Sequence, residues 1–431
     1  MRTEIKTNVG NLPKKTGQGI SNVRSFLFDN MVMLLFVVIC GLGIWFSKLP
    51  ISFILSDLVV RIARNAFLIL ALLIPVMAGM GLNFAIVLGA MAGQLAILMV
   101  VHWQIGGLVG FLLAVLISTP LAMLFGVMTG RLLNKTRGQE MITSMVTGFF
   151  ANGLYQLLLL VLVGTLIKIN NPELLLGNGI GVKNTVDLRI VTNAIDGMYI
   201  VSLPVFGFAV AAAMGAYYLF SLFGQSHSTA AARNKSFLYL GLAAVIAAGS
   251  MMVKSSDSLI NFIEVPAVTF ALIAIACLFN LFIIKTKLGQ DFRTVGQDQH
   301  IAKVSGIDVN KTRIIAITIS TVLAAWGQLL LLQNFGNLNT YGSHESVGMF
   351  AIAALLIGGA SVAKATVGQA LIGMVLFHTL FIVSPNAGKT LLGDAQLGEF
   401  FRAFVAYGVI AASLAMYAWK RAMAGKKKLQ A

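Results

Sequence analysis

KTKLGQDFRTVGQDQHIAKVSGIDVNKTR, residues 285–313, is the longest polar run between two strongly apolar segments in the second half of this 431-residue chain. An apolar run from Val265 precedes it, and residues 314–332 form another after it. Lys285, Lys287, Arg293, Lys303, Lys311 and Arg313 make the stretch basic. A short basic loop between two membrane spans belongs on the cytoplasmic side, where Lys and Arg are retained during insertion. Gly289, Gly296 and Gly306 punctuate it, which predicts short helices joined by turns. On composition alone it reads as an ordinary cytoplasmic loop.

Working outward, the chain is 58% hydrophobic, only 11% charged, and has a mean hydropathy of +0.88. No soluble domain of this size buries so much apolar surface, so the expected fold is all-α, a polytopic integral membrane protein. Continuous rather than alternating apolar segments exclude a β-barrel. The net charge of +16 would suggest nucleic acid on a soluble protein. Here it reads as positive-inside asymmetry, with no nucleic-acid partner. Cys40 and Cys277 both lie in apolar segments and imply neither a disulfide nor a metal site. The first apolar run lacks a small-x-small cleavage site and reads as a retained span.

The layout predicted is a basic cytoplasmic tail (1–28), a transmembrane domain (29–420) holding the 285–313 loop, and a basic cytoplasmic tail (421–431). Spans are expected near 31–46, 107–128, 141–167, 198–223, 237–253, 265–284, 314–332 and 401–419. Residues 51–65, with Arg61 and Arg64 on one side, read as an amphipathic helix at the outer interface. Two Gly-broken pairs, 66–79 with 82–101 and 349–359 with 367–383, read as discontinuous helices around a cavity. The total is 10 to 12 crossings or re-entrant helices. With both termini inside, 22 of the 31 Lys and Arg fall on the cytoplasmic face. Gly81-Leu-Asn-Phe-Ala-Ile and Gly348-Met-Phe-Ala-Ile echo each other, as chance or as an internal repeat.

No G-x-x-x-x-G-K-[ST] loop, metal-ligand spacing or catalytic constellation is present, so neither an enzyme nor a bound cofactor is expected on this chain. Glu140 sits at a helix start and the other acids fall in loops or tails. His378 is then the one relay-type group within a span, and a lone intramembrane His is more often a packing residue. The absence of buried carboxylates argues against a proton-coupled carrier. Ser144, Gly148, Asn152 and Gln156 recur every four residues on one face of the 141–167 span. That face serves either interhelical hydrogen bonding or a path for a hydroxyl-bearing solute, and Asn83, Gln94, Asn280 and Gln328 carry the same two readings.

The basic loop also resembles the cytoplasmic coupling segment of ABC-importer permeases of the branched-chain amino acid, ribose and nucleoside type. The resemblance is carried by Thr286, Gly289, Arg293, Gly296, Ala302, Ser305, Gly306 and Ile307, with departures at Thr294 and Ile301, where the family has Ala. Gly138-Gln-Glu-Met-Ile-Thr-Ser144 and Gly79 to Gln94 are similar to the nucleoside type. Ala92 stands where that type has an acid. Ile357-Gly-Gly-Ala-Ser-Val362 with Thr366-Val-Gly368 is closer to the sugar type, although the Gly-Ile-Asp-Leu-Ser signature of the ribose type is missing.

The resemblance implies a permease of the bacterial cytoplasmic (inner) membrane moving a nucleoside or simple sugar by alternating access. Branched-chain amino acids within the same family, or an ion-coupled secondary carrier, are the alternatives. It further implies separate ABC ATPase subunits that hydrolyse the ATP, a second permease subunit and an extracytoplasmic solute-binding protein, all within membrane lipid. Gly289, Arg293, Gly296, Ala302, Gly306 and Ile307 would then couple to the ATPase. The orientation is testable in a chain lacking Cys40 and Cys277. Thr185→Cys is expected to react with an impermeant thiol reagent from outside intact cells, and Gln297→Cys only after lysis; reversed labelling would overturn the layout.

Overall fold

The computed structural model describes residues 30–169, 171–177, 179–224 and 230–429. The basic tail expected over 1–28 lies outside the described residues, as do residues 29, 170, 178, 225–229 and, in the expected C-terminal tail, 430–431. The helices in chain order are α1 (Met31–Ser47), α2 (Ile51–Met77), α3 (Ile86–His102), α4 (Gly107–Lys135), α5 (Glu140–Thr165), α6 (Leu203–Gly224), α7 (Ala230–Lys254) and α8 (Ala267–Lys285). They continue as α9 (Lys287–Gln297), α10 (Gln299–Val304), α11 (Val309–Phe335), α12 (Glu345–Ile357), α13 (Val367–Leu392) and α14 (Ala395–Leu429). Among the described residues, eight helices are long and apolar enough to cross a bilayer.

Helices α2 and α11 are each 72% buried over their apolar windows, whereas α6 is 6% buried. The former therefore form the centre, and the α6–α7 hairpin stands at the periphery. Glycines set how closely the centre packs. A Cβ at Gly89 would overlap the carbonyl of Thr321, and one at Gly93 would lie 2.8 Å from that of Ala325. Likewise a Cβ at Gly126 would fall 2.6 Å from the Thr318 Cα, and one at Gly130 2.9 Å from that of Ile314. Two Gly-x-x-x-Gly faces, on α3 and α4, thus seat α11 backbone to backbone, where dispersion replaces the hydrophobic effect as the driving force in lipid.

The segment read as interfacial, residues 51–65, is instead the outer part of α2, a central membrane-crossing helix. Its cations are satisfied by protein rather than by headgroups. Arg61 Nε donates to Asp57 at 2.9 Å, while the Arg64 guanidinium hydrogen-bonds Asn334 and covers the Phe335 ring at 4.2 Å. The Gly-broken pairs are observed as breaks. Gly79 and Gly81, both at φ +71°, separate α2 from α3, and a hairpin with Gly359 at φ +86° joins α12 to α13. The two echoing segments meet: a Cβ at Gly348 would touch Ile86, Val87 and the Phe84 carbonyl.

Small ribbons tie the face opposite the basic loop. Strand β1 (Thr185–Asp187) pairs antiparallel with β4 (Asn337–Asn339), and β2 (Ile200–Ser202) with β3 (Glu264–Pro266). The Thr340 hydroxyl donates to the Lys183 carbonyl and the Tyr341 hydroxyl to that of Val182, each at 2.7 Å. These bonds aim the chain back into the molecule, toward α12. Gly126→Val should push α4 off α11 and cost about 2 kcal/mol through overpacking. Gly153→Val, where a Cβ meets open space, should be near neutral. Thermal unfolding of the detergent-purified variants measures both.

Candidate functional site: a basic elbow and a cleft between helices

The basic stretch folds as an elbow of two short helices, each begun by its own cap. Thr286 Oγ1 accepts from the Gly289 N–H at 3.3 Å, starting α9. Asp298 accepts from His300 and Ile301 to start α10, and Asp308 accepts from Lys311 to start α11. A side-chain oxygen satisfying a first-turn N–H is the common reason these helices begin where they do. Phe292, Val295, Ala302 and Val309 are buried, with Ile307 packed against the last three. Gly289 is needed because a Cβ there would overlap the Ile283 carbonyl. Gly306, at φ +80°, makes the turn into α11.

The elbow rests on the inner end of α2. A Cβ on Gly296 would overlap the Met77 carbonyl, and one on Gly79 would lie 2.6 Å from the Gly296 Cα. Arg293 donates to the Ile284 carbonyl at 2.8 Å, closing the end of α8. Immediately beyond the elbow, Arg313 is fully buried and donates to Glu140 Oε1 at 2.6 Å. Arg137 donates to Asn310 Oδ1 at 2.5 Å and Asn134 to the Asn310 carbonyl at 2.9 Å. The first turn of α11 is thereby bolted to the start of α5.

Helix α5 then leads to a cleft of about 200 Å³ lined by Phe84, Val87, Met145, Gly148, Phe149, Asn152, Glu345, Gly348 and Met349. Ser144 receives the Phe84 N–H at 3.2 Å, and Asn83 Oδ1 accepts from Ala85. Asn152 Nδ2 donates to Glu345 Oε1 at 2.7 Å. The fully buried His344 ring lies between two amides, with Nδ1 2.9 Å from Gln94 Oε1 and Nε2 2.9 Å from Asn152 Oδ1. Tyr155 donates to Gln94 at 2.8 Å and packs edge-on against His344 at 4.8 Å.

Of the seven residues expected to line a path, Asn152 alone lines the cleft; buried Ser144 and Asn83 hold the Phe84–Ala85 turn beside it, and buried Gln94 lies behind it against His344. The other three lie elsewhere. Asn280 donates to the Ala276 carbonyl of its own helix at 2.9 Å. Gln328 is buried on α11 against Gly93 of α3, and Gln156 lies one residue past Tyr155, outside the cleft lining. His378 is buried in α13 against the Phe377 ring, also outside that lining.

The expectation that acidic residues stay in loops is corrected at Glu345. Asn152, its partner, lies about 18 Å along α5 from Glu140, near mid-depth of a ~30 Å hydrocarbon core. Helix α12, which Glu345 begins, has 13 residues, about 20 Å, too short to cross the core by itself. Tyr155, His344 and Glu345 were legible only through that length.

Gly296→Val and Gly306→Val are expected to lower ATPase copurification and uptake while the chain still inserts. The Gly306 variant carries a backbone penalty of about 1 kcal/mol, and the Gly296 variant a larger steric one. Lys303→Ala and Lys311→Ala, at exposed charges, should change both little.

Residues 54–409 match the family described as the branched-chain amino acid transport system / permease component, and the chain belongs to that family. It is 31% identical over 179 residues to a xylose transport system permease protein of Haemophilus influenzae, covering 42% of this chain and 44% of that one. It is 30% identical over 145 residues to a probable ABC transporter permease protein of Escherichia coli, covering 34% and 42%. With an autoinducer 2 import system permease protein of Klebsiella pneumoniae the identity is 30% over 135 residues, covering 30% and 39%. The chain thus matches less than half the length of each of these three relatives. No solved structure matches. With eight candidate spans, the chain is a multi-pass membrane protein.

Proposed function

We propose that this chain is the membrane-spanning permease of an ATP-driven importer, carrying a small polar solute of sugar type through the cleft between α5 and α12. The observation that carries the importer reading is the family match over 54–409, within which the elbow lies. On α10, Ile301 is 58% and Val304 78% exposed, directly above buried Ala302. An apolar tip on an otherwise polar segment marks a contact surface, and the absence of a nucleotide loop from the sequence supports separate ATPase subunits as its partner.

A second permease subunit is supported by the cleft's open side. Ile142, Val146 and Phe149 on α5 are exposed there, together with Glu345. A carboxylate facing lipid is costly, so a second copy enclosing an aqueous path suits this face better than acyl chains. An extracytoplasmic solute-binding protein would deliver to the ribboned face. The relatives whose printed names specify xylose and autoinducer 2 support sugar-type cargo over branched-chain amino acids.

An ion-coupled carrier gains one specific observation, since the titratable groups His344 and Glu345 both hydrogen-bond Asn152 of α5. Family membership weighs more. In the proposed mechanism, ATP-driven closure of the ATPases moves the elbow, and the bolt at Arg313 and Glu140 carries that movement to α5 and the cleft. Uptake by the complete importer in proteoliposomes should require ATP and persist with an uncoupler present. Uptake by this chain alone, driven by a proton or sodium gradient, would overturn the reading.

A further inference from the structure

We propose that the trough between α4 and α5 holds an acyl chain of an anionic phospholipid, whose headgroup is bound by Arg131 and Lys135. The inference does not depend on which solute the chain carries. The trough, about 430 Å³, uses a different face of α5 from the cleft. Phe125, Met128 and Leu132 line it on α4, and Ala151, Leu154 and Leu158 on α5, each set at the three- and four-residue spacing of one helix face. Between Thr147 and Leu158 it runs about 16 Å along α5. That is roughly half of a ~30 Å hydrocarbon core, the depth of one leaflet. Its hydroxyls offer little to a polar ligand. Thr147 donates to the Thr143 carbonyl at 2.6 Å, and Tyr155, on the trough floor, donates to Gln94 at 2.8 Å.

Charge gathers at one end. The α4 stripe continues from Leu132 to Lys135, and Arg131 lies beside it. Both cations are exposed, and neither has a hydrogen bond or ion pair within the described residues. Nearby charges are already committed, Arg137 to Asn310 and Glu140 to Arg313. Helix α4 has no Asp or Glu along its length. Two unpaired cations at the end of an apolar trough between membrane-crossing helices match an amphiphile with one anionic head and an apolar tail.

A second copy of the chain suits the trough less well. The α5 face assigned to it, Ile142, Val146 and Phe149, lies roughly 145° around the helix from Ala151, Leu154 and Leu158. An apolar protein face would also leave Arg131 and Lys135 without a counter-charge. A lipid chain in the trough covers Tyr155, whose hydroxyl leads through Gln94 and His344 to Asn152 of the cleft. The lipid thus braces α5 from the side opposite the solute path.

The test is photo-crosslinking of the full-length chain in phosphatidylcholine nanodiscs. The probes are phosphatidylglycerol and phosphatidylcholine, each with a diazirine on one acyl chain and each at the same trace mole fraction. Adducts on residues 125–132 and 147–158 are read against those on peripheral α6, which reports ordinary lipid contact. The phosphatidylglycerol probe should label the trough roughly tenfold or more above the phosphatidylcholine probe, at roughly fivefold for each Lys or Arg near the surface. Arg131→Gln combined with Lys135→Gln should bring the two probes level, whereas Lys303→Gln, on the elbow, should match the parent. Ala151→Trp, which fills the trough, should lower trough labelling by both probes and leave α6 unchanged. Equal trough labelling by the two probes in the parent, an unchanged preference in the double Gln variant, or trough adducts no stronger than those on α6 would overturn the proposal.

Discussion

The ion pair between Arg313 and Glu140 is the constraint on which the inner half of the molecule depends. A guanidinium with no exposure is far from water, and removing one member of such a pair leaves the other uncompensated, a loss of roughly 3–5 kcal/mol. The pair does not stand alone. Glu140 also receives the Gly138 N–H at 2.9 Å, while Asn134 and Arg137 both reach Asn310. Three side chains at the α4–α5 turn, Asn134, Arg137 and Glu140, thus grip the start of α11, which begins where the elbow ends. Any displacement of the elbow meets α5 through hydrogen bonds and charge before it meets apolar packing.

Backbone proximity does the complementary work. Where Gly296 lies on Met77 and Gly79, no side chain intervenes between the elbow and the end of α2. The same device recurs along α11, which receives the glycine faces of α3 and α4. Such contacts tolerate little added volume and have few alternative arrangements, as expected of interiors packed to crystal density. The cleft differs. Its walls are Met and Phe side chains beside Gly148 and Gly348, and Met in particular repacks readily. Rigid backbone contact and adaptable side-chain contact are therefore segregated, the first around the elbow and α11, the second around the cleft.

Much of this was legible in the sequence where one local rule acted alone. Apolar runs located the helices, and Gly306 marked a turn because only a residue without a Cβ adopts φ +80° without strain. The every-fourth-residue series led to Ser144, Gly148 and Asn152 because helical periodicity is local. It failed at Gln156, since the inward stripe drifts and Tyr155 takes the position facing Gln94. Residues 51–65 were misread because Arg61 and Arg64 look interfacial until Asp57 and Asn334 are brought beside them, the latter 270 residues away. Long-range satisfaction of a charge leaves no local pattern.

The outer end of α11 shows what that satisfaction accomplishes. Asn334 bridges Arg64 of α2 and Asp196 of the outer loop, and Asp196 also accepts from Thr269 of α8. Gln333, the preceding residue, accepts the backbone N–H groups of Ile195 and Asp196. Helix α11 is thus held by polar groups at both ends and by glycine contacts between them, which makes it the least free of the long helices to tilt by itself. Helix α12 has no equivalent outer anchor of its own. It is reached through β4 and the Thr340 and Tyr341 bonds, and its first turn is secured by the hydrogen bonds of His344 and Glu345 to α3 and α5. The groups that shape the cleft are therefore also the ones that fix the start of α12, so the cleft and the position of that helix relative to α5 depend on the same few hydrogen bonds.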